Sequence, residues 1–301
     1  MSTTETVQSR KGVPLLTRSW PSVGTARAGV LIVPGLAEHS GRYERTGTIL
    51  AATGLEVASF DLEGFGASAG RRAYITSWDV WLDDVADRLA TLRAAVDPLP
   101  VVLMGHSMGG LVALTYAESD RPQPDLLILS APWIADTVVP GSQRVIVGVL
   151  GRIVPTVSIG NGLDGAALSR DPQIGIDYAA DPLAYHRITF GLGRQVIAAQ
   201  KRAVADVDRV RVPLFVVHGG EDPLVPVASS ELFTRLPDVR RKVYPGLRHE
   251  SLNEPEGPQV AADLAVWIGS RVAPLDATTG AAPPAAEPAA EAEPQPPSTN
   301  V

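Results

Sequence analysis

Five residues, Gly105-His106-Ser107-Met108-Gly109, carry the strongest chemical signal in this chain of 301 residues. They follow the apolar run Val101–Met104 and open a stretch of small residues. A strand that turns sharply into a helix holds a serine in strained geometry above a sheet, where its hydroxyl can attack. Gly105 and Gly109 suit such a turn, because side chains there would collide with the tight backbone. The helix start adds unpaired backbone N–H groups that receive a developing negative charge. The alternative is a glycine-rich strand-to-helix turn holding an ordinary serine.

A serine hydroxyl is a weak nucleophile, so Ser107 needs a base, and the base needs an orienting acid. The chain has five histidines. His106 adjoins the serine with its side chain directed away, and His186 lies in a region outside the strand pattern. His218 ends a strand and reads as a loop anchor, while His39 follows the first apolar strand by several residues. His249 sits on the loop after the last strand and is the last histidine. In a fold with this turn the order is serine, acid, histidine, so His249 reads as the base. Asp222, in the tight loop after Val216-Val217-His218, is the candidate acid, and Glu221 is the fallback. Taken alone, Asp222 equally suits an Asx turn before Leu224-Val225. Asp61 also ends a strand but precedes the serine, in a loop that reads as a structural turn.

Acyl transfer also needs donors for the oxyanion. The Met108 amide follows the nucleophile directly, and the Leu36 amide lies in the loop after the first apolar strand. Pro34 has no N–H to give, whereas Gly35 lets that loop turn its amides inward.

The elements that must position these residues alternate between strand and helix. Ala28–Val33, Leu55–Phe60, the run that begins at Val101, Leu126–Ser130, Val212–His218 and Arg241–Tyr244 read as strands. Tyr43–Thr53 reads as a helix closed by Gly54, and Ser77–Val96 as a helix with Trp78, Trp81, Leu82, Val85, Leu89, Leu92 and Val96 at helical spacing. Leu192–Val207 and Pro258–Val272 are further helices. Continuous apolar strands separated by helices imply an α/β fold, with a mostly parallel central sheet covered on both faces. The candidate residues fall at the carboxyl ends of strands, where ligands bind in such sheets. The alternation breaks between Ala131 and Arg211, so residues 136–204 are expected as an inserted helical cap over a core of 13–135 and 205–272.

Composition narrows the function. With 45% hydrophobic and 20% charged residues the chain suits a globular protein, and its net charge of -7 argues against nucleic acid as a partner. The absence of cysteine excludes thiol nucleophiles, cysteine metal sites and disulfides. Residues 1–12 are polar and expected to be flexible. With no signal peptide and no apolar stretch of membrane-spanning length visible, a cytoplasmic location is expected, with contact at a membrane periphery through the cap left open. Residues 273–301, rich in Ala, Pro and Glu, are expected as a disordered tail.

With these residues placed, the chain resembles the monoacylglycerol lipase family of α/β-hydrolases from Arg18 to Val272. The landmarks are Gly35 with Glu38-His39-Ser40-Gly41-Arg42-Tyr43, Asp61-Leu62-Glu63-Gly64-Phe65-Gly66-Ala67-Ser68 and Gly105-His106-Ser107-Met108-Gly109-Gly110. Leu168-Ser169-Arg170, Asp177-Tyr178 and Asp181-Pro182-Leu183 in the cap also match, as do Asp222 and His249. The chain departs from the family in having Pro34-Gly35 where relatives usually have His-Gly. The resemblance implies an α/β-hydrolase fold and hydrolysis of monoacylglycerols to glycerol and fatty acid, through an acyl-enzyme and without metal or organic cofactor. It also implies that Glu38, Arg42, His106 and Tyr178 lie near the glycerol end of the pocket. The alternative for Glu38 and Arg42 is a structural role, pinning the oxyanion loop. A lysophospholipase, a broad carboxylesterase and a non-catalytic ligand-binding relative are the alternatives. Oligomeric state is not legible.

Overall fold

The apolar strand runs are continuous because both faces of the sheet they form are covered. The computed structural model describes residues 1–135 and 141–272. Its first half runs β1 (Thr3–Gln8), β2 (Pro14–Trp20), β3 (Ala28–Val33), α1 (Glu44–Ala52), β4 (Leu55–Phe60), α2 (Asp79–Val96), β5 (Val101–His106), α3 (Ser107–Ala117) and β6 (Leu126–Ser130). Then come α4 (Gly141–Ile153), β7 (Ser158–Gly160), α5 (Gly165–Leu168), α6 (Pro172–Ala180), β8 (Arg187–Thr189) and α7 (Phe190–Asp206). β9 (Leu214–Gly219), β10 (Val239–Tyr244) and α8 (Gly257–Arg271) close the described chain. Eight strands form one sheet in the order β1-β2-β4-β3-β5-β6-β9-β10, and β7 pairs separately with β8. The sheet is parallel from β4 to β10, while β1 and β2 pair antiparallel at one edge.

Alternate residues of each strand feed two cores. Val30, Ile32, Val102, Met104, Phe215 and Val217 pack with α1 and α8. Leu31, Val33, Leu103 and Val216 pack with α2, α3 and α7. This is the expected α/β architecture; β3, β4 and β6 span the expected residues, and β5 begins at the expected Val101. Gly54, at φ +80°, closes α1 as expected, although Ser40–Tyr43 before it forms a separate 3₁₀ turn. The later elements differ from expectation by one or two residues at their ends.

The N-terminus corrects the sequence reading. Residues 3–8, expected as part of a flexible arm, form β1 and pair residue for residue with β2, from Thr3 opposite Ser19 to Gln8 opposite Pro14. β1 is an edge strand exposed along nearly its whole length, so it lacks the apolar face that marks a buried strand. Its threonines and valine still favour extended backbone. Between β6 and β9 the chain leaves the sheet for α4 to α7, in the stretch expected as a cap. α7 anchors that stretch by burying Leu192, Val196, Ala199 and Ala203 against the core. Residues 136–140 of the expected cap and the 273–301 tail lie outside the described residues. Among the described residues no helix is long and apolar enough to cross a membrane.

The seam between α3 and α7 carries a testable cost. Glu118, which caps α3, is 4% exposed, and neither carboxyl oxygen has a partner among the described residues. Burial pushes its pKa up to about 9, with Asp206 adding to the shift and Arg202 and Arg209 opposing it. The folded protein therefore holds a proton that the unfolded chain has released, and stability falls as pH rises from 4.5 to about 9. Glu118→Gln keeps the shape and removes the ionisation. Thermal melts across that range are expected to show a flatter decline than wild type; an unchanged slope would contradict the assignment.

Candidate active site

Ser107 begins α3 one residue after β5 ends, with φ +51° in the left-handed region that non-glycine residues rarely occupy. The elbow is also too tight for side chains at its glycines. A Cβ on Gly109 would lie 2.1 Å from the Val33 carbonyl oxygen, and one on Gly105 would lie 2.2 Å from that of Gly109. The Trp133 amide donates to the Ser107 carbonyl at 2.9 Å, tying the loop after β6 to the turn.

Across the pocket, Asp222 uses its two oxygens for different tasks. Oδ1 accepts the Leu224 and Val225 amides at 2.8 and 2.9 Å, which makes the Asx turn. Oδ2 accepts from His249 Nδ1 at 2.7 Å and from His218 Nε2 at 3.1 Å. The Asp222 side chain has no exposure. An ionised carboxylate only accepts, so His249 Nδ1 carries the hydrogen and Nε2 is left unprotonated when the ring is neutral. Burial works against the Asp222 charge, but His249 and the bonds from both histidines hold the carboxyl well below the usual range. Burial likewise works against the His249 imidazolium, yet Asp222, Glu250 and Glu38 together raise its pKa. Glu221 is exposed, and its amide donates to the Leu247 carbonyl.

The loop after β3 lies alongside the serine: a Cβ on Gly35 would lie 3.3 Å from Ser107 Cβ. Glu38 Oε2 takes the Gly35 amide at 2.8 Å, so Leu36 carries the next amide of the loop beside the pocket. Ala37 follows at φ +60°. Met108 lies in the first turn of α3, whose amides have no intrahelical acceptor.

The polar end is a buried cluster of charges. Arg42 Nη2 donates to both Glu250 oxygens, at 2.8 and 2.7 Å, and Arg42 Nε lies 3.8 Å from Glu38 Oε1. Tyr43 Oη donates to Glu38 Oε2 at 2.8 Å, and the Tyr178 ring lies 5.2 Å from the Arg42 guanidinium. His106 is held by Ser130 Oγ at 3.1 Å from Nδ1, and its ring packs 4.8 Å from that of His249. Burial, then the neighbouring His249, lowers the His106 pKa to about 3, so its ring stays neutral.

Ser107, His249, Leu36, Glu38, His106 and Tyr178 line one cavity of about 750 Å³ with Trp133, Leu163, Leu168, Ile188, Leu224 and Val225. Arg42 is not on that wall; it is reached through Glu38 and Glu250. A second cavity of about 820 Å³ lies between α4 and α7 and shares Trp133, Asn161 and Ile188 with the first. Glu250 and Asn161, which also line the first cavity, were not legible as site residues. Glu250 does adjoin His249 in sequence, but its partner Arg42 is 208 residues away. The remaining candidates have structural partners. His39 bonds Asp181 at 2.7 Å, His186 packs edge-on against Tyr178, and Asp61 accepts the Ser40 and Ala67 amides. Among the described residues no group of three or more histidine, aspartate or glutamate side chains is placed to hold a metal.

Comparison with known proteins agrees with this architecture. The family described as serine aminopeptidase S33 matches residues 24–256. A monoacylglycerol lipase of Mycolicibacterium smegmatis is 34% identical over 266 residues, covering 87% of this chain and 95% of that one. A monoglyceride lipase of Homo sapiens is 31% identical over 283 residues, covering 91% of each chain. The crystal structure of a Paleococcus ferrophilus monoacylglycerol lipase matches with a TM-score of 0.77 at 30% identity, covering 85% of this chain and 99% of that one. With its elbow, its mostly parallel sheet and relatives matched over nearly their whole length, this chain belongs to the monoacylglycerol lipase family of α/β-hydrolases.

Proposed function

We propose that the chain is a serine carboxylester hydrolase that cleaves monoacylglycerols to glycerol and a free fatty acid. The observation that carries this reading is the fully buried Asp222 carboxylate 2.7 Å from His249 Nδ1, in a pocket that also holds Ser107 on its strained turn. Ser107 Oγ attacks the ester carbonyl while His249 Nε2 takes its proton, and Asp222 stabilises the imidazolium. The Leu36 and Met108 amides receive the oxyanion. His249 then gives the proton to the departing glycerol oxygen. In the second half, water attacks the Ser107 acyl ester, again through His249, and releases the acid. The apolar walls of the two adjoining cavities suit the acyl chain, and the Glu38, His106 and Tyr178 end suits the glycerol. Purified protein assayed on a monoacylglycerol, lysophosphatidylcholine and a short p-nitrophenyl ester is expected to give its highest kcat/KM on the first. A higher value on either of the others would replace the substrate class.

We further propose that the cap meets the lipid surface through α4. Val145, Ile146, Val149 and Ile153 recur along that helix with 68%, 55%, 47% and 70% exposure. Val147, on another side, lines the inner cavity. Each large aliphatic side chain buried in lipid contributes about 1.5–3 kcal/mol. Ile146→Ser with Ile153→Ser is therefore expected to weaken partitioning onto phosphatidylcholine vesicles by at least about tenfold. Hydrolysis of a water-soluble short ester is expected to be unchanged. Unaltered vesicle partitioning would contradict the membrane role.

A further inference from the structure

We infer that Glu250, acting with Glu38, makes the polar end of the pocket an anion-excluding subsite that selects uncharged polyol head groups over phosphate-bearing ones. This rests on the monoacylglycerol reading and assigns a specificity-determining residue within it.

Both carboxylates line the cavity beside Ser107 and His249, whereas Arg42 does not reach that wall. Glu38 is 6% exposed and Glu250 3%. Two carboxylates against one guanidinium leave a net negative charge where the head group must sit. Every hydrogen bond the Glu250 carboxyl makes is with a donor: Arg42 Nη2 to both oxygens, and Asn253 Nδ2 to Oε2 at 2.8 Å. That donor set favours the ionised form. Burial raises the Glu250 pKa, with Arg42 acting against the shift. His249, on the same wall, is paired with the Asp222 carboxylate, so that pair adds no net positive charge. The His106 ring is neutral, and burial pushes the Tyr178 hydroxyl up to about 12.

Hydrogen-bond inventory points the same way. The wall presents carboxylate oxygens, which only accept, and His106 Nε2, buried without a hydrogen-bond partner among the described residues and 4.0 Å from Glu38 Oε1. The Tyr178 hydroxyl, beside Asn161 on the same wall, is a further group that can donate or accept. Glycerol hydroxyls both donate and accept, so they can satisfy this mixed set. A phosphate brings several acceptors and at least one negative charge into a site already rich in both, with little water to screen them. Glu38 is committed to the Gly35 amide and Tyr43. Glu250 bonds Arg42 and Asn253 but not the Gly35 amide, so its charge can be removed with the Glu38 bonds that hold the Gly35 turn still in place. Its backbone amide also donates to Leu168 of the cap at 2.8 Å, which holds the side chain at the junction of cap and core.

The test uses the wild-type chain and three esters of one fatty acid: the glycerol ester, its phosphorylated counterpart lysophosphatidate, and the choline ester, in the same detergent. The cationic ester controls for head-group size and charge alone. The expected kcat/KM for the anionic ester is about a hundredfold below the glycerol ester, with the choline ester within about tenfold of it. Glu250→Gln is expected to narrow the gap between glycerol ester and lysophosphatidate by about tenfold, while Glu250→Asp keeps it. Equal rates on all three esters, or equal losses on both charged ones, would overturn the inference. Failure to cleave the glycerol ester while another is cleaved would instead remove the monoacylglycerol reading itself.

Discussion

Ser107→Ala is expected to lower kcat on monoacylglycerol by about 10⁵- to 10⁶-fold, leaving only the rate that binding and oxyanion donors supply. The loss is large because no other hydroxyl takes this position: Ser107 is the residue that the elbow holds at φ +51° beside the Gly35 loop. The fold should survive, since alanine meets the same backbone strain and removes one half-exposed oxygen. Thermal melting within about 1 kcal/mol of wild type, together with lost turnover, is the expected pair of results. Turnover within tenfold of wild type would remove the serine from the mechanism.

Asp222→Asn is expected to cost about 10⁴-fold in kcat. The Asp222 oxygen nearest His249 also accepts from His218, so two ring N–H groups converge on one carboxylate. An asparagine can meet that pair only by keeping its oxygen there without the charge, or by turning its NH₂ toward them and forcing a change of tautomer. The pH profile separates this loss from simple misfolding. His249 must be neutral to act as base, so kcat/KM rises with pH through its pKa, which Asp222, Glu250 and Glu38 raise. Removing the Asp222 charge lowers that pKa and moves the rising limb to lower pH. Linkage has the matching signs. The Asp222 pKa is depressed, so its stabilisation is present above the unfolded value of about 3.9 and lost as pH falls through the folded one. The His249 pKa is raised, so its stabilisation is complete below about 6.5 and lost as pH rises through the folded value. A limb at unchanged pH in the asparagine variant would show that Asp222 does not set the ionisation of His249.

Legibility tracked burial. β3 and β6 were readable to the residue, and β5 from its first residue, because each carries a continuous apolar run and is buried along its whole length. β1 was not, since an exposed edge strand has no apolar face for periodicity to report. Within the site, Ser107 and Asp222 were visible through their turns, and His249 through its place after the last strand. Asp222 also shows that a local turn and a long-range bond need not compete, because each takes a different oxygen. Glu250 was hidden because its meaning depends on Arg42, brought to it by the packing of the β3 loop against the loop after β10. The neutrality of His106 was hidden for the same reason: it follows from burial against His249, which only the folded chain supplies.

The central claim is that the three side chains of Ser107, His249 and Asp222 work as one nucleophilic unit. Incubation with a fluorophosphonate, followed by peptide mass mapping, reads this most directly. A single adduct on Ser107 is predicted, with labelling lost in His249→Ala and slowed in Asp222→Asn. An adduct on another residue, or undiminished labelling of Ser107 without His249, would contradict it.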